Sequence, residues 1–172
     1  MNIIDSYFQN ARLSLAAYAT LDPTLNSRPT DYIEALKQAG MAEEDARRFA
    51  SEYTIIDQSS PNAFGFSATL FERGGQKHFA IRGTNDVIDV FIDFGVFVGT
   101  GAVDQYRVLE AYYADLIARG KLSTADQLLV TGHSLGGFLA QGFAVDHPEV
   151  VTQAFTYNAP GLGGISAQIL EA

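Results

Sequence analysis

Cysteine is absent from this chain, and positive charge is scarce: 11 Lys+Arg stand against 20 Asp+Glu in 172 residues, a formal net charge of −9. The first absence excludes a disulfide framework, a zinc site built on thiolates and a cysteine nucleophile. It leaves the compartment open, since a cysteine-free chain suits secretion as well as the cytosol. The shortage of basic residues argues against nucleic acid as a partner, because an acidic surface repels phosphate and releases no counterions there. No run approaches the ~20 apolar residues that span a bilayer. The most apolar run, 87–99, is interrupted by Asp89 and Asp93. Residues 1–20 have no basic n-region and carry Asp5 early, so they do not read as a signal peptide. The chain reads as soluble and calls for no metal or other cofactor. Secretion by a signal-independent route and the oligomeric state stay open.

What is present suffices for a folded domain, since 47% of the residues are hydrophobic and can bury enough surface to offset chain entropy. Ile3, Ile4, Tyr7, Phe8, Ala11, Leu15 and Tyr18 recur at three- and four-residue steps, the stripe of an amphipathic helix that Pro23 stops. Asp31 with Glu34 fits a capping box for a short helix ending at Gly40, and a third helix is expected over 42–52. These helices read as packing and cover. Then the period changes. A strand is expected over 53–57, and a hairpin over 64–72 and 77–82 turned by Arg73-Gly74-Gly75-Gln76. A helix over about 103–119 places Tyr106, Leu109, Tyr113, Leu116 and Ile117 on one face. A strand over 127–131, a helix over 135–146 and a strand over 151–157 make a βαβ unit, whose strands must be parallel. The fold class is α/β, a central sheet flanked by helices, with a helical segment 1–52 ahead of a core 53–172 in one domain.

Gly132-His133-Ser134-Leu135-Gly136 matches G-x-S-x-G between an apolar strand and an apolar helix. The pattern suits a sharp strand-to-helix turn that lifts a serine hydroxyl above the sheet, with flanking glycines that have no Cβ to collide with neighbours. The following helix aims its N-terminal amides at the same place, where an anion is stabilised. A tetrahedral oxyanion needs two donors. The Leu135 amide supplies one, and Thr84 at the end of the strand Phe79-Ala80-Ile81-Arg82-Gly83 is the candidate for the other.

Ala80-Ile81-Arg82-Gly83-Thr84, Gly132-His133-Ser134-Leu135-Gly136-Gly137 and Tyr157-Asn158-Ala159-Pro160-Gly161 together resemble the three landmarks of the class 3, fungal-type lipases. The resemblance covers about residues 64–164. It implies an α/β-hydrolase fold, Ser134 as nucleophile, Thr84 and Leu135 as oxyanion donors, and a lid within 86–99. Asn158 stands where that family usually has glycine, and Gly161-Leu162-Gly163 replaces an arginine-containing continuation.

A serine nucleophile needs a histidine in hydrogen-bond reach and an acid behind it. His78, His133 and His147 are the three histidines, and each is expected to be structural: a strand-edge residue, elbow packing and a helix C-terminal cation. Beyond Ser134 the acids are Asp146, Glu149 and Glu171. The first two sit at the wrong end of the βαβ unit and Glu171 is penultimate, so the acid and base of a triad are absent from this chain. The segment 166–172 reads as a helix start without a cap, and the chain is expected to be the N-terminal piece of a longer protein.

Two classes of function remain. One is a serine ester hydrolase of lipase type acting on triacylglycerol or a related carboxylic ester, with phospholipase A1-type activity as a variant; the lipid or ester substrate is then its partner. The other is a non-catalytic binding domain of hydrolase descent. Asp86, Asp89 and Asp93 oppose Val87, Val90, Phe91 and Phe94 at helical spacing, so 86–99 is expected either as a core helix or as a lid whose Phe91 and Phe94 line the acyl site.

Overall fold

The computed structural model describes residues 2–60, 65–83 and 94–161, and the side chains of all of these except 94–101. The elements follow in the order α1 (Ile3–Ala16), a 3₁₀ turn (Pro23–Ser27), α2 (Pro29–Gln38), α3 (Glu43–Glu52), β1 (Thr54–Gln58), β2 (Ala68–Arg73), β3 (Gln76–Ile81), α4 (Phe94–Ala118), β4 (Leu128–His133), α5 (Leu135–Asp146) and β5 (Val151–Tyr157). The five strands form one sheet in sequence order. β1, β2 and β3 pair antiparallel, while β3, β4 and β5 pair parallel. The change of pairing follows from the connections. A two-residue glycine turn can only reverse the chain, whereas parallel neighbours need a long crossover, here made through α4 and α5.

Alternation along the strands gives each sheet face its own core. Leu70, Phe79, Ile81, Leu128 and Val130 pack against Leu109 and Leu116 of α4 and Leu139 and Phe143 of α5. On the opposite face Ile55, Phe71 and Ala80 pack against Leu13 and Ala16 of α1, Tyr32 and Leu36 of α2, and Phe49 of α3. Helices thus cover both faces of a mixed central sheet, the crossover helices α4 and α5 on one and α1 to α3 on the other.

Three local expectations are corrected. The apolar stripe of α1 is not its buried face: Ile3, Ile4, Tyr7 and Phe8 are exposed, while Asn10, Arg12, Leu13, Ser14 and Ala16 are buried. Most of that polar face is bonded, Asn10 Oδ1 and Arg12 Nε being left without a hydrogen-bond partner among the described residues. Asn10 Nδ2 donates to Ser6 O at 2.9 Å, Ser14 Oγ to Ala11 O at 2.9 Å, and Arg12 to Gln9 Oε1 at 2.8 Å and Asp45 O at 2.9 Å. Second, α2 starts at Pro29 without a side-chain cap, so Asp31 is no cap residue. It lies in the first turn and pairs with Arg28 at 3.1 Å, where its charge complements the helix dipole. Third, α4 begins at Phe94 rather than near 103, although the run 94–102 is rich in glycine and β-branched residues, which form helices poorly. Asp86, Asp89 and Asp93 lie outside the described residues.

Candidate active site

β3, β4 and β5 end at Ile81, His133 and Tyr157 along one edge of the sheet. This is the carboxyl edge of the parallel strands, where α/β sheets hold their ligands. β4 passes into α5 through one residue, Ser134, with φ 54° and ψ −126°. Such a backbone costs an L residue of the order of 1–3 kcal/mol and persists only where its surroundings fix it. Here they do. The Ser134 amide donates to Tyr157 O at 2.9 Å, and its carbonyl accepts from the amides of Gly137 and Phe138 at 3.0 and 3.2 Å.

The flanking glycines are required by proximity. A Cβ on Gly132 would fall 2.3 Å from the Gly136 carbonyl, and one on Gly136 would fall 2.3 Å from Ile81 O. Real Cβ atoms do not come that close to backbone, so the strand, turn and helix can fold together only with glycine at both places. Gly83 obeys the same rule. Its ideal Cβ would lie 2.5 Å from His133 O, 2.7 Å from the Tyr18 hydroxyl and 3.4 Å from Ser134 Cβ. The end of β3 therefore lies directly beside the elbow. Leu135 opens α5, so its amide has no acceptor within the helix and stands at the positive end of the dipole.

The third landmark closes the other side. Asn158 has φ 47°, the left-handed region that glycine and, next to it, asparagine tolerate. The departure from glycine thus preserves the backbone path. Ala159 lies 2.6 Å from where a Cβ on Gly137 would sit, and Gln141 Nε2 donates to Pro160 O at 2.9 Å, tying this loop to α5.

Ser134 and Leu135 stand at the junction of β4 and α5. Thr84 and Phe91 lie outside the described residues, and Phe94 opens α4 with a side chain that is likewise outside them. All three histidines are described, and none offers a base to Ser134. His133 turns its Nδ1 to the Tyr18 hydroxyl at 3.2 Å. His147 caps the far end of α5 with Nε2 at 2.9 Å from Glu110, and Asp146 bonds the Tyr106 hydroxyl there. His78 is not a strand-edge residue: β3 is an inner strand, and the ring is 6% exposed between Phe71 on β2 and Leu129 on β4. Burial, with Arg73 nearby, lowers its pKa to about 4.

The residue missed from sequence is Tyr18. It follows α1 by two positions and reaches Gly83 and His133, which the stripe spacing could not indicate. Burial raises the pKa of its phenol against the Gly83 amide and Arg82, so it remains a donor across the working range. Among the described residues no cluster could hold a metal ion, and no helix is long and apolar enough to cross a membrane.

No protein-family model matches the sequence, and no curated protein matches it. Solved structures do. A fungal lipase in complex with an inhibitor aligns at TM-score 0.64 and 20% identity over 98% of this chain and 67% of that one. Lip2 lipase from Yarrowia lipolytica aligns at 0.60 and 18% over 96% and 63%. A triacylglycerol lipase whose catalytic centre is a serine protease triad aligns at 0.59 and 18% over 85% and 55%. This chain thus spans between about half and two thirds of the length of the structures it resembles. It has the α/β-hydrolase-like fold of the fungal lipases, with its strand-to-helix serine at the carboxyl edge of the sheet.

Proposed function

We propose that this chain is the nucleophile-bearing part of a serine ester hydrolase of lipase type. Ser134 Oγ attacks the carbonyl carbon of a triacylglycerol or related carboxylic ester and passes its proton to a general base. The carbonyl oxygen becomes an oxyanion held by the amides of Leu135 and Thr84, with the Thr84 hydroxyl as a further donor. The alcohol departs with the proton from the base, and water then cleaves the acyl-serine. The observation that carries this reading is the backbone of Ser134, held at φ 54° between glycines that approach neighbouring backbone to 2.3 Å. No histidine of this chain serves Ser134, so the base and its acid belong to sequence outside it. This agrees with structural neighbours that extend further and, in one case, carry a serine protease triad.

The test is made on the full-length parent protein with a p-nitrophenyl acyl ester and a fluorophosphonate label. Wild type should hydrolyse the ester and take up the label, and Ser134→Ala should lose both with an unchanged melting curve. Labelling that survives the substitution would remove Ser134 from the role. A parent protein with neither activity nor labelling would favour the binding-domain reading. The 172-residue chain alone should show at most weak turnover, since only positioning and oxyanion donors remain.

A further inference from the structure

The Tyr18 hydroxyl stands where β3 and β4 converge. It lies 3.2 Å from His133 Nδ1 across 115 residues of sequence. The position a Gly83 Cβ would take is 2.7 Å from that oxygen and 3.4 Å from Ser134 Cβ, and the Gly83 backbone acts on the phenol as a nearby donor. The hydroxyl is therefore within about 6 Å of Ser134 Cβ. A phenol carries one donor and can accept at the same time. Placed beside Gly83 and His133 Nδ1, the hydroxyl can serve both at once. One group thus reaches both Gly83, two residues beyond β3, and His133, the last residue of β4.

The tyrosine is itself held. Its amide donates to Leu15 O at 3.0 Å. On the other side Gln58 of β1 grips the chain twice, with Nε2 donating to Ala19 O at 2.9 Å and Oε1 accepting from Leu21 N–H at 2.8 Å. The strap from α1 to the 3₁₀ turn is thus fastened to the opposite edge of the sheet, and Tyr18 projects from its fixed part.

We propose that Tyr18 is a positioning residue: its hydroxyl ties Gly83, just past β3, to His133, and so fixes the spacing between the nucleophile and Gly83. This rests on Ser134 acting as the nucleophile. It gives the N-terminal helical segment a part in the reaction, since without the strap nothing else described joins Gly83 to the His133 ring.

Tyr18→Phe in the full-length protein removes the hydroxyl and keeps the ring. Tyr32→Phe is its control, because Tyr32 is a buried tyrosine whose hydroxyl makes one hydrogen bond, donated to Tyr53 O at 3.3 Å, away from the elbow. Tyr18→Phe should lower kcat for the p-nitrophenyl ester about tenfold with little change in KM, as small misplacements do. Hydrogen exchange at the Gly83 amide should quicken by a similar factor. Tyr32→Phe should lower Tm and move neither quantity. An equal fall in kcat in both variants at equal loss of Tm would overturn the positioning role, and so would unchanged Gly83 exchange in Tyr18→Phe. If the wild-type protein does not turn over the ester, the hydrolase reading fails. The Gly83 amide then decides the tie alone: faster exchange supports it, and unchanged exchange overturns it.

Discussion

Strand β3 leaves a turn at Gly74 and Gly75 and ends next to Gly83, and the two ends use glycine for different reasons. At the hairpin a Cβ would meet nothing within 4 Å, and glycine supplies φ of +58° and +83°. At the site Gly83 has no positive φ, yet a Cβ would lie 2.5 Å from His133 O. A side chain at the first end strains one turn. A side chain at the second must part a strand from the elbow. The fold tolerates change at the hairpin end of β3 and little at the end that meets Ser134.

Gly136→Ala should break this contrast most sharply if it is wrong. The new Cβ would sit 2.3 Å from Ile81 O and 2.8 Å from Gly83 N, both backbone atoms that no rotamer change can move. The expected loss is about 3 kcal/mol of stability or more, with ester activity gone, read from urea unfolding and turnover. A wild-type midpoint would mean that the close approach does not exist in solution.

Midway along the strand, His78 separates stability from activity in another way. Its pKa falls to about 4 on folding from an ordinary value of 6.5, because its buried ring resists charge. The unfolded chain therefore takes up this proton first as pH falls. The stabilising contribution is complete above pH 6.5 and is lost between 6.5 and about 4, amounting to about 3 kcal/mol. His78→Phe should remove that slope while leaving the carboxylate titrations, so the difference between the two stability–pH curves isolates it. Parallel curves would place the imidazole in water.

Much of this was legible in the sequence, and what was not has a physical cause. α5 and β5 fall at the expected residues because an apolar helix and strand bounded by Ser134, Pro148 and a turn admit few other readings. The elbow was legible because its glycines are demanded by packing, and such demands show in a five-residue pattern. The face of α1 was not. Periodicity counts apolar residues, whereas this helix buries Asn10 and Ser14 on bonds to its own backbone and Arg12 on a bond to Asp45 O that only tertiary structure supplies. Tyr18 was invisible for the same reason, since its partners lie far along the chain.

Gly75→Ala tests the tolerant end. The open space leaves only the cost of φ +83° for an L residue, about 1–2 kcal/mol. Thermal unfolding should shift accordingly while kcat stays at the wild-type value. A loss of activity beyond what the lower stability explains would show that the hairpin communicates with the elbow.

Asn158 carries the smallest effect and sharpens the comparison, because it is a site position whose requirement is conformational, as at the hairpin. Its side chain is exposed, so replacing it removes no packing, and its φ of 47° is what a substitute must accept. Glycine relieves the left-handed strain but gains freedom in the unfolded chain, and these effects oppose each other. Asn158→Gly should therefore stay within about 0.5 kcal/mol of wild type, while Asn158→Ala should lose about 1 kcal/mol. Melting curves of the two variants decide it. Equal losses in both would mean that the asparagine side chain makes a contact of its own, and that its backbone angle is not what selects it.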